Sequence, residues 1–146
     1  MKVELKLQPG LEEPNIVIYA SQETEELQQL MEQLAKKDLS PILVLKGERT
    51  FLLPPETILR FFTDGKGVSA QTAEDIYLVR LRLYELEERL DPHTFVRISN
   101  SEIVNLKKVT SLDLSLTGTI RMTLNGSVTA YVSRRYVKKI KQAIGL

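Results

Sequence analysis

The period of hydrophobic and polar positions changes several times along the 146 residues, and each change predicts an element. Val3, Leu5 and Leu7 alternate with Lys2, Glu4 and Lys6, the period of a half-buried strand. Pro9-Gly10 and Pro14 break that pattern, and residues 15–20 read as a second, more buried strand. Ser21 is a good helix N-cap, with Glu23, Glu25 and Glu26 in the first turns, where the helix dipole favours negative charge. Leu27, Leu30, Met31 and Leu34 then form an apolar stripe at helical spacing, and Lys36-Lys37 suit the end of that helix. The stripe fits packing against its own strands, or a dimer contact.

From Ile42 onward the pattern turns to strands. Residues 42–46 and 50–53 flank Gly47-Glu48, a tight hairpin turn, and Pro54-Pro55 resets the direction. Residues 57–63 read as a strand holding Phe61 and Phe62, followed by an Asp64-Gly65-Lys66-Gly67 loop. That loop lacks the spacing of a phosphate-binding P-loop, so a hairpin turn is the better reading. Residues 76–79 form another strand, and residues 80–90 place Leu83, Leu86 and Leu90 at helical spacing before Asp91-Pro92 stops them. Three alternating strands follow at 109–116, 119–124 and 128–132, with Leu112, Leu114 and Leu116 inward in the first. Thr117-Gly118 and Asn125-Gly126 join them, the latter a strong type I′ signal. A final helix is expected after Ser133, with Val137, Ile140 and Ile144 buried and Gly145 past its end. The chain is therefore expected to be mainly β with short helices (α+β): a small β-β-α appendage over residues 1–40, then antiparallel sheets and a C-terminal helix over 41–146.

Composition narrows the class. The 42% hydrophobic and 27% charged fractions suit an ordinary globular protein, large enough for a core. No apolar run reaches membrane-spanning length and no signal peptide is visible, so a cytoplasmic location is expected. Cysteine is absent and His93 is the single histidine, which excludes disulfides, Cys-His pairs and most transition-metal sites. Glu85, Glu87 and Glu88 lie near Arg82 and Arg89, and helix-surface ion pairing accounts for them without catalysis. No enzyme and no nucleotide or other cofactor is expected.

Charge changes the picture only when it is divided. Residues 1–48 carry nine acidic and five basic side chains, whereas residues 92–146 carry nine basic and two acidic ones. Such a split fits an anionic partner for the C-terminal third, or a solvated surface balanced elsewhere. Arg134 and Arg135 directly follow Ser133, so two cations sit at the positive end of the last helix dipole. Each costs about a few tenths of a kcal/mol when exposed, unless an anion compensates. A phosphate backbone is such an anion; plain tolerance of two exposed charges is the other reading.

The most informative stretch is Phe95-Val96-Arg97-Ile98-Ser99-Asn100-Ser101-Glu102-Ile103-Val104-Asn105-Leu106, short polar residues held between apolar anchors. Read on its own chemistry it is a polar turn between two strands, or a rigid loop presenting side chains to a partner. It resembles the signature segment of the LytTR family, the DNA-binding domains of many bacterial transcription regulators. Weaker similarity extends from about Pro41 to the C-terminus. The resemblance implies a β-rich LytTR-like scaffold that holds double-stranded DNA through loops and helix edges, reaching successive major grooves and the minor groove between them. Asn100 matches the asparagine of the signature, and Arg135 the arginine before the final helix's hydrophobic run. The loop over 66–69 matches a third contact loop. The family often carries a His or Lys near Ser99 and Asn100, and a basic or histidine contact where this chain has Val68-Ser69, so base preference does not transfer.

The resemblance further implies a regulator without the phosphoacceptor receiver domain of many relatives, since 40 residues before Pro41 are too few for one. It links such stand-alone regulators to control by an inhibitory membrane protein. The expected contacts are Lys66, Ser69, Arg97, Ser99, Asn100, Lys107, Arg134, Arg135 and Lys138. Asn100 and Arg135 are expected at base edges and the others mainly on phosphates. A homodimer on two repeated half-sites is expected. The alternative is a protein-interaction adaptor using the basic C-terminal surface on an acidic protein partner. An RNA-binding role is weaker, because no aromatic platform for stacking single-stranded bases is evident.

Overall fold

The computed structural model describes residues 1–12, 15–35 and 41–146. The chain divides into two units, Met1–Ala35 and Lys36–Leu146. In the first, the described residues form one helix, α1 (Glu25–Ala35). Thr24 caps it in place of Ser21: its Oγ1 accepts from Leu27 N–H at 3.2 Å, three residues on. Leu27 and Leu30 are half-buried, while Met31 and Leu34 are exposed. The two strands expected at 2–7 and 15–20 are absent from the described residues there. Val3, Leu5, Leu7, Ile16 and Val17 are all exposed. Alternation says which side chains would face a core, but a strand also needs a ladder partner and a surface to cover, and neither segment has one. Lys36-Lys37, expected at the helix end, lie outside the described residues.

The second unit holds ten strands and two helices among its described residues. β1 (Ile42–Lys46) and β2 (Arg49–Leu53) form the expected hairpin, with Gly47 at φ 61° in the left-handed region that the first turn position demands. Pro54 and Pro55 end β2, and a short 3₁₀ turn, Pro55–Thr57, leads into β3 (Ile58–Thr63). β4 (Val68–Thr72) and β5 (Ile76–Val79) follow. β4 was not expected: Ser69, Gln71 and Thr72 are polar, yet Val68, Ala70 and Thr72 alternate inward beside β3. Helix α2 (Leu83–Arg89) is shorter than the expected 80–90. Glu85 Oε1 accepts from Arg82 N–H at 3.1 Å and so starts the helix later.

β6 (Phe95–Ser99) and β7 (Glu102–Asn105) complete a fully antiparallel seven-stranded sheet in the order β2-β1-β5-β4-β3-β7-β6. A second, three-stranded meander consists of β8 (Val109–Asp113), β9 (Ile120–Leu124) and β10 (Val128–Val132). Asn125 and Gly126 take φ of 51° and 74°, as a type I′ turn requires. β8 stops three residues earlier than expected, and Leu114 and Leu116 are exposed rather than inward, at 48% and 38%. The cause is Asp113, whose Oδ1 accepts from Ser115 N–H at 2.9 Å and turns the chain out of the ladder. The last helix is α3 (Arg134–Ala143), followed by Gly145 at φ 82°.

Two cores lie on opposite faces of the large sheet. On one, Leu83, Leu86 and Leu90 of the α2 segment pack on Phe61, Phe95 and Ile103. On the other, Leu59, Val96, Ile98 and Val104 meet Ile120, Met122, Leu124 and Val132 of the meander and Ile140 of α3. Neighbouring Ile58 and Leu59 serve different faces by strand alternation, and a bulge at Ile58/Arg60 lets Ile58 and Phe61, three residues apart, share one. The β3-β7-β6 end is thus gripped from both sides, which makes it the firmest place from which to project a loop. Among the described residues no helix is long and apolar enough to cross a membrane.

Candidate nucleic-acid interface

The β6–β7 hairpin ends in Asn100-Ser101, and the polar-turn reading of this segment describes its geometry. Ser101 N–H donates to Ser99 Oγ at 3.2 Å, closing the turn on itself. Arg97 Nη1 donates to the Asn100 carbonyl at 2.8 Å from below. Its Nε donates to Glu87 Oε1 of α2 at 3.0 Å, and its Nη2 pairs with the same carboxylate oxygen. Arg97 is therefore committed to holding the turn, with only 13% of its side chain exposed, rather than open to a phosphate. On the other side, Tyr136 Oη of α3 donates to Asn100 Oδ1 at 3.3 Å. Asn100 itself is exposed, so both helices brace a side chain that faces outward.

Helix α3 begins against this turn, because Ser133 N–H donates to the Ile98 carbonyl at 2.8 Å. Ser133 holds the N-cap position, but its hydroxyl makes no capping hydrogen bond. The Tyr136 N–H reaches the Ser133 carbonyl at 2.9 Å instead, and the earlier N–H groups of the turn receive nothing from the serine hydroxyl. Arg134, Arg135, Lys138, Lys139 and Lys141 are all exposed, and none forms an ion pair among the described residues. Arg134 lies over Gly118 of the β8–β9 loop, where an added Cβ would stand 2.8 Å from its Nε. Gly118 itself stands at φ 76°, in the left-handed region, which explains why Thr117 is followed by glycine. Arg134, Lys138 and Lys141 line one side of an open groove along α3.

The β3–β4 hairpin reaches the same end of the sheet, since Thr63 N–H donates to the Ser101 carbonyl at 3.0 Å. Lys66 is exposed at its tip, where its N–H is fixed by Asp64 Oδ1 at 3.0 Å. Ser69, expected in that loop, lies on β4 opposite Phe62. Lys107 is exposed but sits beyond the far end of β7, roughly 15 Å along the strand from the turn. The structure thus brings Ser99, Asn100, Arg134, Arg135 and Lys66 to one end of the molecule's second unit, with Lys138 one helical turn further on. It places Arg97 beneath that surface and Lys107 away from it.

Sequence reasoning missed the residues that hold these groups. Behind both tips Arg60 Nη1 donates to Glu102 Oε2 at 3.1 Å and Arg60 Nε to Gln71 Oε1 at 2.7 Å, tying β3 to β7 and β4. The Arg60 guanidinium also lies 4.6 Å from the Phe62 ring centroid. Burial pushes the Glu102 carboxyl above its ordinary range, against the opposing pull of Arg60. Nothing in the spacing of Arg60, Gln71 and Glu102 reveals the contact, which depends on strand register. Tyr136 had a faint signal, an aromatic in the first turn of a helix otherwise basic on its outer face. Asn105 is buried, donating to the Ile58 carbonyl at 2.9 Å and accepting from Lys107 N–H at 3.0 Å. Among the described residues no three His, Asp or Glu side chains converge as metal ligands.

A family model described as the LytTr DNA-binding domain matches residues 48–145. An uncharacterized HTH-type transcriptional regulator of Staphylococcus aureus (strain NCTC 8325 / PS 47) is 34% identical over 147 residues, covering 100% of this chain and 99% of that protein. A relative of the same description in strain MSSA476 is likewise 34% identical, over the same shares. Among solved structures, a LytTr DNA-binding domain from Bacillus cereus superposes with a TM-score of 0.70 at 18% identity, covering 73% of this chain and 98% of that one. The fold is thus that of a LytTr domain: antiparallel sheets with a C-terminal helix. Among the described residues no two helices are consecutive, since five strands separate α2 from α3.

Proposed function

The chain belongs to the LytTR family of DNA-binding domains, and from that premise we propose that it is a transcription regulator that binds double-stranded DNA sequence-specifically through the Asn100 turn and the start of α3. The observation that carries this is the meeting of an outward-facing, doubly braced asparagine with an uncapped helix start bearing unpaired Arg134 and Arg135. Helix N–H groups and guanidinium forks both attract phosphate, and the compensation that the sequence lacks is what DNA would supply. With no helix-turn-helix pair among the described residues, loops and a helix tip are the parts available to enter a groove. Lys66 and Lys138 flank the tip as phosphate contacts, and Asn100 and Arg135 are the base readers.

Two short modules paired on two half-sites gain affinity by effective concentration, so we infer a homodimer. The exposed Met31 and Leu34 of α1, beside Leu27 and Leu30, offer its contact. Restraint by a membrane protein is the form of control that resemblance suggests. A gel-shift assay with random duplex, single-stranded DNA and RNA tests the reading. Retention of duplex above both single strands supports it. Retardation of no nucleic acid at low salt overturns it in favour of an acidic protein partner.

A further inference from the structure

Asn100 can read a base in two ways. With a free amide it pairs bidentately with adenine, accepting from N6 through Oδ1 and donating to N7 through Nδ2. With Oδ1 turned toward another donor, Nδ2 points the opposite way and the amide faces DNA as a donor. In this protein Oδ1 is held: Tyr136 Oη lies 3.3 Å from it. A phenol hydroxyl donates more strongly than it accepts, so this partner favours the oxygen over the NH₂ group. The electrostatics agree independently. Tyr136 belongs to the first turn of α3, next to Arg134 and Arg135, where the helix dipole is positive and attracts the carbonyl end of an amide. The backbone of Asn100 cannot swing to relieve this choice, because Arg97 grips its carbonyl at 2.8 Å and Glu87 grips Arg97.

We propose that Tyr136 is a positioning residue that sets base specificity, turning the Asn100 amide so that its Nδ2 hydrogens face DNA and select a hydrogen-bond acceptor on a base edge. The inference rests on the duplex-binding reading given above. The acceptors concerned are the purine ring nitrogens, N7 in the major groove or adenine N3 in the minor groove. Exocyclic amino groups at the same place meet a donor and are rejected. Phenylalanine at 136 keeps the ring but releases the amide, which then tolerates either kind of edge.

The test uses a duplex selected by the full chain from a random library, then resynthesised with 7-deaza or 3-deaza purines one position at a time. These replacements delete N7 or N3 alone, and so separate the two grooves. The wild type should lose affinity on one such replacement, and Asn100→Ala should become indifferent to it. Tyr136→Phe should lose about fivefold in discrimination at that position, the worth of one neutral hydrogen bond, with random-duplex affinity and circular dichroism unchanged. Asn100→Asp, which can only accept, should lose the position entirely. Full discrimination in Tyr136→Phe, or a parallel fall in specific and random binding, overturns the proposal. If selection returns no preferred sequence, the underlying specific-binding reading fails instead.

Discussion

Arg134 and Arg135 are neighbours in the chain, yet their surroundings suit them to different tasks. Arg134 lies along Gly118 and the α3 groove, a place for gripping a backbone. Arg135 precedes Tyr136, the partner of Asn100, and its long fork can hold guanine O6 and N7 together. Arg135→Ala should therefore lose about 1–3 kcal/mol of preference for a selected over a random duplex. Arg134→Ala and Lys138→Ala should weaken both duplexes alike, which competition binding will show. Glu102 makes a second residue-scale prediction. Burial raises its folded carboxyl above the ordinary value of 4.5, so folding favours the protonated form. That contribution is complete below the ordinary value and is lost as pH rises through the folded one. Gln resembles the protonated acid, and Arg60 keeps Gln71 and the Phe62 ring as partners. Glu102→Gln should thus melt no lower than wild type at pH 7, with any advantage shrinking toward pH 4.5. A clear fall in the pH 7 midpoint would mean that the Arg60 pair outweighs the burial it requires.

The elements divide according to what their signals depended on. Helix α3 was legible because Val137, Ile140 and Ile144 carry its period, and Ile140 is fully buried against the meander. Ile140→Ala should cost about 2–5 kcal/mol and lower the thermal midpoint, since both its transfer energy and the cavity left behind count against the fold. A loss under about 0.5 kcal/mol would mean that α3 is not anchored through this residue. The Asn125-Gly126 turn and the Gly47-Glu48 turn were legible for the same reason, each being governed by local backbone chemistry. β4 was not legible, because its inward positions are small or polar and only the β3 ladder makes them a strand. The strands expected at 2–7 and 15–20 failed in the opposite sense, as alternation without a partner. Among the proposed contacts, Asn100 and Arg135 rest on family likeness, not on any local pattern in the chain. Arg97 looked like a free cation, and only the fold of α2 onto β6 shows that Glu87 has claimed it.

At the scale of the whole molecule, the proposed division of labour is that one unit meets DNA and the other pairs two copies. Deleting residues 1–40 should leave a folded domain, since the cores and both sheets lie in the remainder. That domain should sediment as a monomer and bind one half-site weakly. If the full chain is already monomeric at micromolar concentration, and the deletion leaves affinity unchanged, α1 has no part in assembly. The central claim is that the unpaired cations around the Asn100 turn and α3 neutralise phosphates. Counterion release converts that claim into a slope, so the most direct measurement is the duplex affinity as a function of salt. The full chain should give log affinity against log salt with a slope of roughly −4 to −6, and Arg134→Ala or Lys138→Ala should each reduce its magnitude by about one. A flat salt response in the wild type, or slopes unmoved by either substitution, would contradict the account.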